Sequence, residues 1–190
     1  MPLTVPPRRL LAAVAAPLLL AIAALGTPTA SYAASPPCAD TTVAAGQAPA
    51  ATVAKAVRCL VNAQRADHGL TPLRPSRQLR LAAEAHGADM VSHRFFAHVS
   101  PFSGAVTDRA RRAGYLAHTH DWSLGEDIAW GEDSLSTPQS IVTAWMNSPG
   151  HRAVILDRDF RDAGVGVTPG VPVDDGSMPG ATFVLDVGAH

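Results

Sequence analysis

Helical periodicity fills the first half of the mature part of this chain, and strand-like runs fill its end, without strand–helix alternation. That order predicts an α+β fold with a small antiparallel sheet. Residues 34–51, rich in Ala, Pro, Ser and Thr, read as a linker or strap. Val53, Val57, Leu60 and Val61 then fall on one face of a first helix, with Thr52 as its N-cap and Gly69 as its stop. Thr71 to Pro75 is a connection, and Ser76 caps a second helix whose stripe is Leu79, Ala83, His86 and Met90. A loop through residues 95–104 leads to a short basic helix over residues 105–112, ended by Gly114. Residues 115–124 read as an irregular loop. Thr137-Pro138 opens a helix carrying Ile141 and Trp145, and Ser148-Pro149-Gly150 ends it. Residues 164–167 and 182–187 read as strands.

The start of the chain has the three parts of an export signal. Arg8 and Arg9 are followed by an apolar run over residues 10–25, and Ser31-Tyr32-Ala33 offers small residues at a cleavage site. The run is shorter than the ~20 residues of a spanning helix. Residues 1–33 are therefore expected to be a signal peptide cleaved after Ala33, leaving a secreted chain with no stable transmembrane segment. The paired arginines leave a twin-arginine route as the second option. About 155 residues then remain, one domain's worth. The formal net charge is −1, from 15 Lys+Arg against 16 Asp+Glu, so nothing points to nucleic acid. Two cysteines in an exported chain, Cys38 and Cys59, make one disulfide the simple reading, with two free thiols as the alternative. Such a bridge would staple the strap to the first helix.

Eight histidines invite a metal reading, and most have a plainer one. His86 lies on an apolar helix stripe and reads as a core residue. His68 and His93 fall at helix ends, where a positive charge suits the dipole. His190 is terminal and expected to be disordered. His118 and His120 form an H-x-H pair in a loop, a weak signal for a metal. His98 and His151 differ, because each sits beside a proline-defined turn and outside any apolar stripe. Arg109, Arg111 and Arg112 read as a solvated face.

The segments F-A-H-V-S-P, G-E-D-I-A-W, the helix ending in Trp145-Met146-Asn147, S-P-G-H-R-A-V-I-L and F-R-D-A-G-V-G-V occur in that order. Together they resemble the CAP superfamily (cysteine-rich secretory proteins, antigen 5, pathogenesis-related 1) in its bacterial secreted branch. The likeness runs from Val53 to Gly188, so residues 52–190 are expected to form a CAP domain. It implies an α-β-α sandwich, a small antiparallel sheet between helical layers, with a cleft lined by two histidines and two acids. Carried over position by position, the histidines fall on His98 and His151 and the first glutamate on Glu126. The second acidic position is Ser148 here, and the asparagine after the glutamate is Asp127. The cleft set is thus His98, Glu126, His151, Ser148 and Asp127.

Two functions follow as expectations. The first is an extracellular binding or interaction module, whose implied ligands are lipids, sterols or cell-wall components. Phe95, Phe96, Phe102, Trp122 and Trp130 could wall its groove, although core packing explains any single one. The second is a metal-assisted hydrolase or protease. There His98 and His151 are candidate ligands for zinc or another divalent cation, weakly bound, and Glu126 is the candidate base or a group that orients a histidine. No G-x-S-x-G occurs, and Ser100, Ser123 or Ser148 would need a histidine alongside to act as a nucleophile.

Overall fold

The computed structural model describes residues 37–117, 120–173 and 178–190. The expected signal peptide and His118 lie outside them. Among the described residues there are five α-helices, α1 (Ala50–Asp67), α2 (Arg77–His93), α3 (Val106–Arg112), α4 (Pro138–Asn147) and α5 (Pro149–Ile155). The strands are β1 (Arg74–Pro75), β2 (Ser123–Glu132), β3 (Asp162–Pro169) and β4 (Gly180–Ala189). They form one sheet in the order β1-β3-β4-β2. The long pairings, β2 with β4 and β3 with β4, are antiparallel; the two-residue β1 pairs with β3 in parallel. The fold is α+β, and the sheet lies between two helical layers.

Strand alternation decides which layer each residue meets. Val165, Val167, Phe183, Leu185 and Val187 pack with Val53, Val57 and Val61 of α1 and Ile141, Val142 and Trp145 of α4. On the opposite face, Ile128 and Val184 meet Ala83 and Met90 of α2. There α2 sits almost on the sheet backbone. A Cβ on Gly164 would stand 2.0 Å from the Arg80 nitrogen, and one on Gly166 would stand 2.5 Å from the Ala83 carbonyl carbon.

Several expected caps form. Ser76 Oγ accepts from Leu79 N at 3.2 Å, Thr137 Oγ1 accepts from Ser140 N at 3.1 Å, and Gly114 follows α3 with φ +83°. Thr52 is not a cap: α1 begins two residues earlier, after Pro49, whose carbonyl accepts from Thr52 N and Val53 N. The break at Ser148 is a junction, since Pro149 opens α5 at once. A disulfide joins Cys38 to Cys59 with Cα atoms 5.7 Å apart, tying the strap to α1. Beyond it, Ala45 N donates to Ser136 O and Gln139 N donates to Thr41 O. His190 is packed at its position, edge-on to the Tyr115 ring at 4.7 Å between centroids. Among the described residues no helix is long and apolar enough to cross a membrane.

Candidate functional site

β2 is an edge strand, so its outer side is open to groups from the helical layers. Glu126, at its middle, points to the α2 face together with Ile128. His98 comes from the loop between α2 and α3, and that loop is held internally. Ser100 is buried; its hydroxyl donates to Asp89 Oδ2 at 2.8 Å and accepts from Phe102 N and Ser103 N. Ser100 and Gly104 exchange two backbone hydrogen bonds. His86, wholly buried on α2, places Nε2 3.0 Å from the Ala97 carbonyl.

His98 Nδ1–H donates to Glu126 Oε1 at 2.9 Å. That bond selects a tautomer, leaving Nε2 as the acceptor of the neutral ring. Glu126 Oε2 is taken by the Arg109 guanidinium, which also donates to the carbonyls of His98 and Gly104. Arg109 therefore braces the loop and neutralises the carboxylate. This corrects the reading of α3 as a solvated basic face: Arg109 is 2% exposed, whereas Arg111 and Arg112 are exposed. Of the three arginines, the helical period turns only Arg109 inward.

The electrostatics follow from these contacts. Burial pushes Glu126 up, but the bond from His98 and the charge of Arg109 together hold it below the usual carboxylate range. The Glu126 bond raises His98 above an ordinary histidine. His151, third residue of α5, is lowered by burial and then by the charge of His98, so the two imidazoles lie within electrostatic reach. The structure thus brings His98 onto Glu126, while His151, on α5, is linked to them only through the charge of His98.

Asp127 goes elsewhere. As the next residue in a paired strand it points to the opposite face, between Gly125 and Ala129 and against the α4–α5 layer. It is fully buried, neither oxygen has a hydrogen-bond partner, and burial followed by the Glu126 charge pushes its pKa up to about 8. Ser148 joins α4 to α5 through backbone bonds, to Trp145 O and from Arg152 N. Ser100's hydroxyl is committed to Asp89. Phe95 packs into the α2 core, while Phe96, Phe102, Trp122 and Trp130 are at least 36% exposed. Phe102 stacks on His93 at 3.7 Å, and the Arg111 guanidinium lies 5.9 Å over Trp122.

Two imidazoles are a short donor set for a metal. Among the described residues no group of three His, Cys, Asp or Glu is placed to hold an ion. Glu126, the obvious third ligand, has both oxygens engaged. A catalytic zinc normally has three protein ligands, so no chemical step is assigned to an ion here. A lowered carboxylate is also a weak general base near neutrality.

Arg109 and Asp186 are the buried titratable neighbours of Glu126 that sequence reasoning missed. Arg109 looked like its two neighbours. Asp186 had a signal, as the one acid inside the run Thr182-Phe183-Val184-Leu185-Asp186-Val187.

Residues 59–183 match the family described as the cysteine-rich secretory protein family, CAP. The chain is 37% identical over 145 residues to the uncharacterized protein YkwD of Bacillus subtilis (strain 168), covering 76% of this chain and 51% of that one. It is 34% identical over 116 residues to the uncharacterized membrane protein YlbC of the same organism, covering 61% and 32%. It thus spans about half the length of the first relative and a third of the second. Among solved structures, it resembles an extracellular protein containing a SCP domain from Bacillus anthracis str. Ames. That likeness has a TM-score of 0.55, 28% identity, and coverage of 69% of this chain and 38% of that one. An outer surface protein of Borrelia burgdorferi shares the fold, with a TM-score of 0.57 at 18% identity, covering 72% and 91%.

Proposed function

The chain belongs to the cysteine-rich secretory protein (CAP) family, and on that premise we propose that it acts outside the cell as a binding module. Its ligand is a lipid or another cell-envelope component, held at the cleft of His98 and His151. The observation that carries this reading is the full engagement of Glu126: one oxygen orients His98 and the other neutralises Arg109. A carboxylate used in this way builds a rigid polar frame and has little left for proton abstraction. What the frame presents outward is a half-exposed imidazole, on a loop that also carries the exposed rings of Phe96 and Phe102. A polar anchor beside apolar surface suits an amphiphile. Secretion agrees with the export-type start of the sequence and with the extracellular relative from Bacillus anthracis.

The test is co-sedimentation of the mature chain with vesicles and with isolated envelope fractions, beside His98→Ala and His151→Ala. Binding by the wild type, weakened about tenfold or more in both variants, is the expected result. A wild type that stays in the supernatant with every fraction removes the reading.

One observation favours metal-assisted hydrolysis as the second reading: a carboxylate on Nδ1 is the support that metal-ligating histidines commonly have. Calorimetric titration of zinc into the same three proteins separates the two. Zinc binding lost in both variants, with metal-dependent turnover of a peptide or ester, would favour the hydrolase.

A further inference from the structure

Behind the cleft, one guanidinium faces two carboxyl groups. Asp186, on the central strand β4, is the direct ladder partner of Glu126, so both side chains emerge on the α2 face. Asp186 is fully buried and neither of its oxygens meets a donor from an N–H or hydroxyl group. The side chain directly across the ladder from it, on the same face, is the Glu126 carboxyl.

The other charged or titratable groups facing this pair are few. From α3 comes Arg109, whose Nη2 is given to Glu126. From α2 comes His86, buried, with Nε2 on the Ala97 carbonyl and 3.8 Å from Glu126 Oε1. From the loop comes His98. On β3, the residue opposite Asp186 is Gly164, which brings no charge. Two ionised carboxylates here would set two negative charges against one guanidinium, away from water. Desolvation and mutual repulsion both oppose the second ionisation, as they do wherever two carboxyls share a dry site.

We propose that Glu126 and Asp186 form a carboxyl dyad holding one proton, with Asp186 as the acid that donates to Glu126. Asp186 is then a positioning residue for His98. Glu126 keeps one charge, which neutralises Arg109 and accepts from the imidazole, and the O–H of Asp186 fixes the carboxylate from behind. The lowered Glu126 and the raised Asp186 have the directions that this division of the proton requires. The dyad bears on the binding role only through His98, and its readouts need no ligand. Failure of either proposal therefore leaves the other standing.

The experiment is carbon-13 NMR of the Asp186 carboxyl in the wild type from about pH 5 to 9. It is paired with imidazole titrations of His98 in the wild type, Asp186→Asn and Asp186→Leu. The Asp186 carbon is expected to keep the shift of a protonated acid through neutrality. Asp186→Asn, a neutral donor of the same shape, is expected to leave the His98 midpoint within about 0.2 unit. Asp186→Leu strips a donor from Glu126, strengthens its pull on the imidazolium, and raises the midpoint by roughly 0.5 unit. A carboxylate shift at neutral pH overturns the proposal. So does a His98 midpoint that falls in Asp186→Asn, as loss of a negative charge would cause, or equal midpoints in the two variants. Should Asp186→Leu not fold, the wild-type carbon and Asp186→Asn still decide.

Discussion

Asp127 shows how one residue can couple this fold to pH. Its carboxyl lies in the apolar layer with no hydrogen-bond partner, so it is carried there as the neutral acid. In the unfolded chain it ionises near pH 4, and in the fold only near the value of about 8. Between those values the folded state holds the extra proton, so stability falls as pH rises through that window. Asp127→Asn removes the titration. Urea unfolding is expected to give equal stabilities near pH 4 and a variant more stable by about 1–3 kcal/mol near pH 8. Parallel pH dependences in the two proteins would mean that Asp127 ionises without cost. His98 and Glu126 were legible because the F-A-H-V-S-P and G-E-D-I-A-W segments carry a family likeness. That Asp127 turns away from them was not, since a motif gives order along the chain and the pleat gives direction. Arg109 escaped for a similar reason: three arginines within four positions look alike until the helix is packed.

Elements were readable where one face alone is apolar. The stripes of α1, α2 and α4 have that form, and β3 and β4 stand out because they are buried for most of their length. β2 did not stand out. Gly125, Glu126 and Asp127 interrupt any alternation, and the strand is defined by its ten-residue pairing with β4. α5 is seven residues long and begins with a proline that first reads as a stop. The closeness of α2 to β3 was hidden as well, because a glycine in a strand-like run says only that something comes near. The structure shows that it is the helix backbone, which gives a sharp prediction. Gly164→Ala puts a methyl group 2.0 Å from the Arg80 nitrogen, where only a shift of α2 can relieve it. It is expected to cost about 3 kcal/mol in urea unfolding. Gly150→Ala, in α5 with nothing within 4 Å of the new carbon, is expected to be neutral or stabilising by up to ~1 kcal/mol. Similar effects at both positions would show that the tight seat of α2 is not limiting.

At the scale of the molecule, two helical layers lean on one sheet, and the strap before α1 is fastened to one of them at separate points. The disulfide ties Cys38 to Cys59 on α1, while backbone bonds tie Thr41 and Ala45 to the start of α4 and the turn before it. Ala45 is buried in the core cluster that α1 and α4 share. The strap therefore bridges these two helices, and its covalent end lies in the layer opposite the α2 face that holds Glu126. The 21-residue separation of the cysteines allows a loop-closure contribution of about 3 kcal/mol. Replacing both, Cys38→Ser with Cys59→Ser, is expected to lower unfolding stability by up to that amount. Docking of Ala45 rests on its own burial and hydrogen bond, so its amide is expected to lose hydrogen-exchange protection only in step with global stability. The imidazole titration of His98 is expected to keep its midpoint, because the Glu126–Arg109 brace is built from β2 and α3. A His98 midpoint displaced in the double variant would mean that the strap tensions the sheet itself. Exchange at Ala45 far faster than the global loss would mean that the disulfide alone holds the strap down.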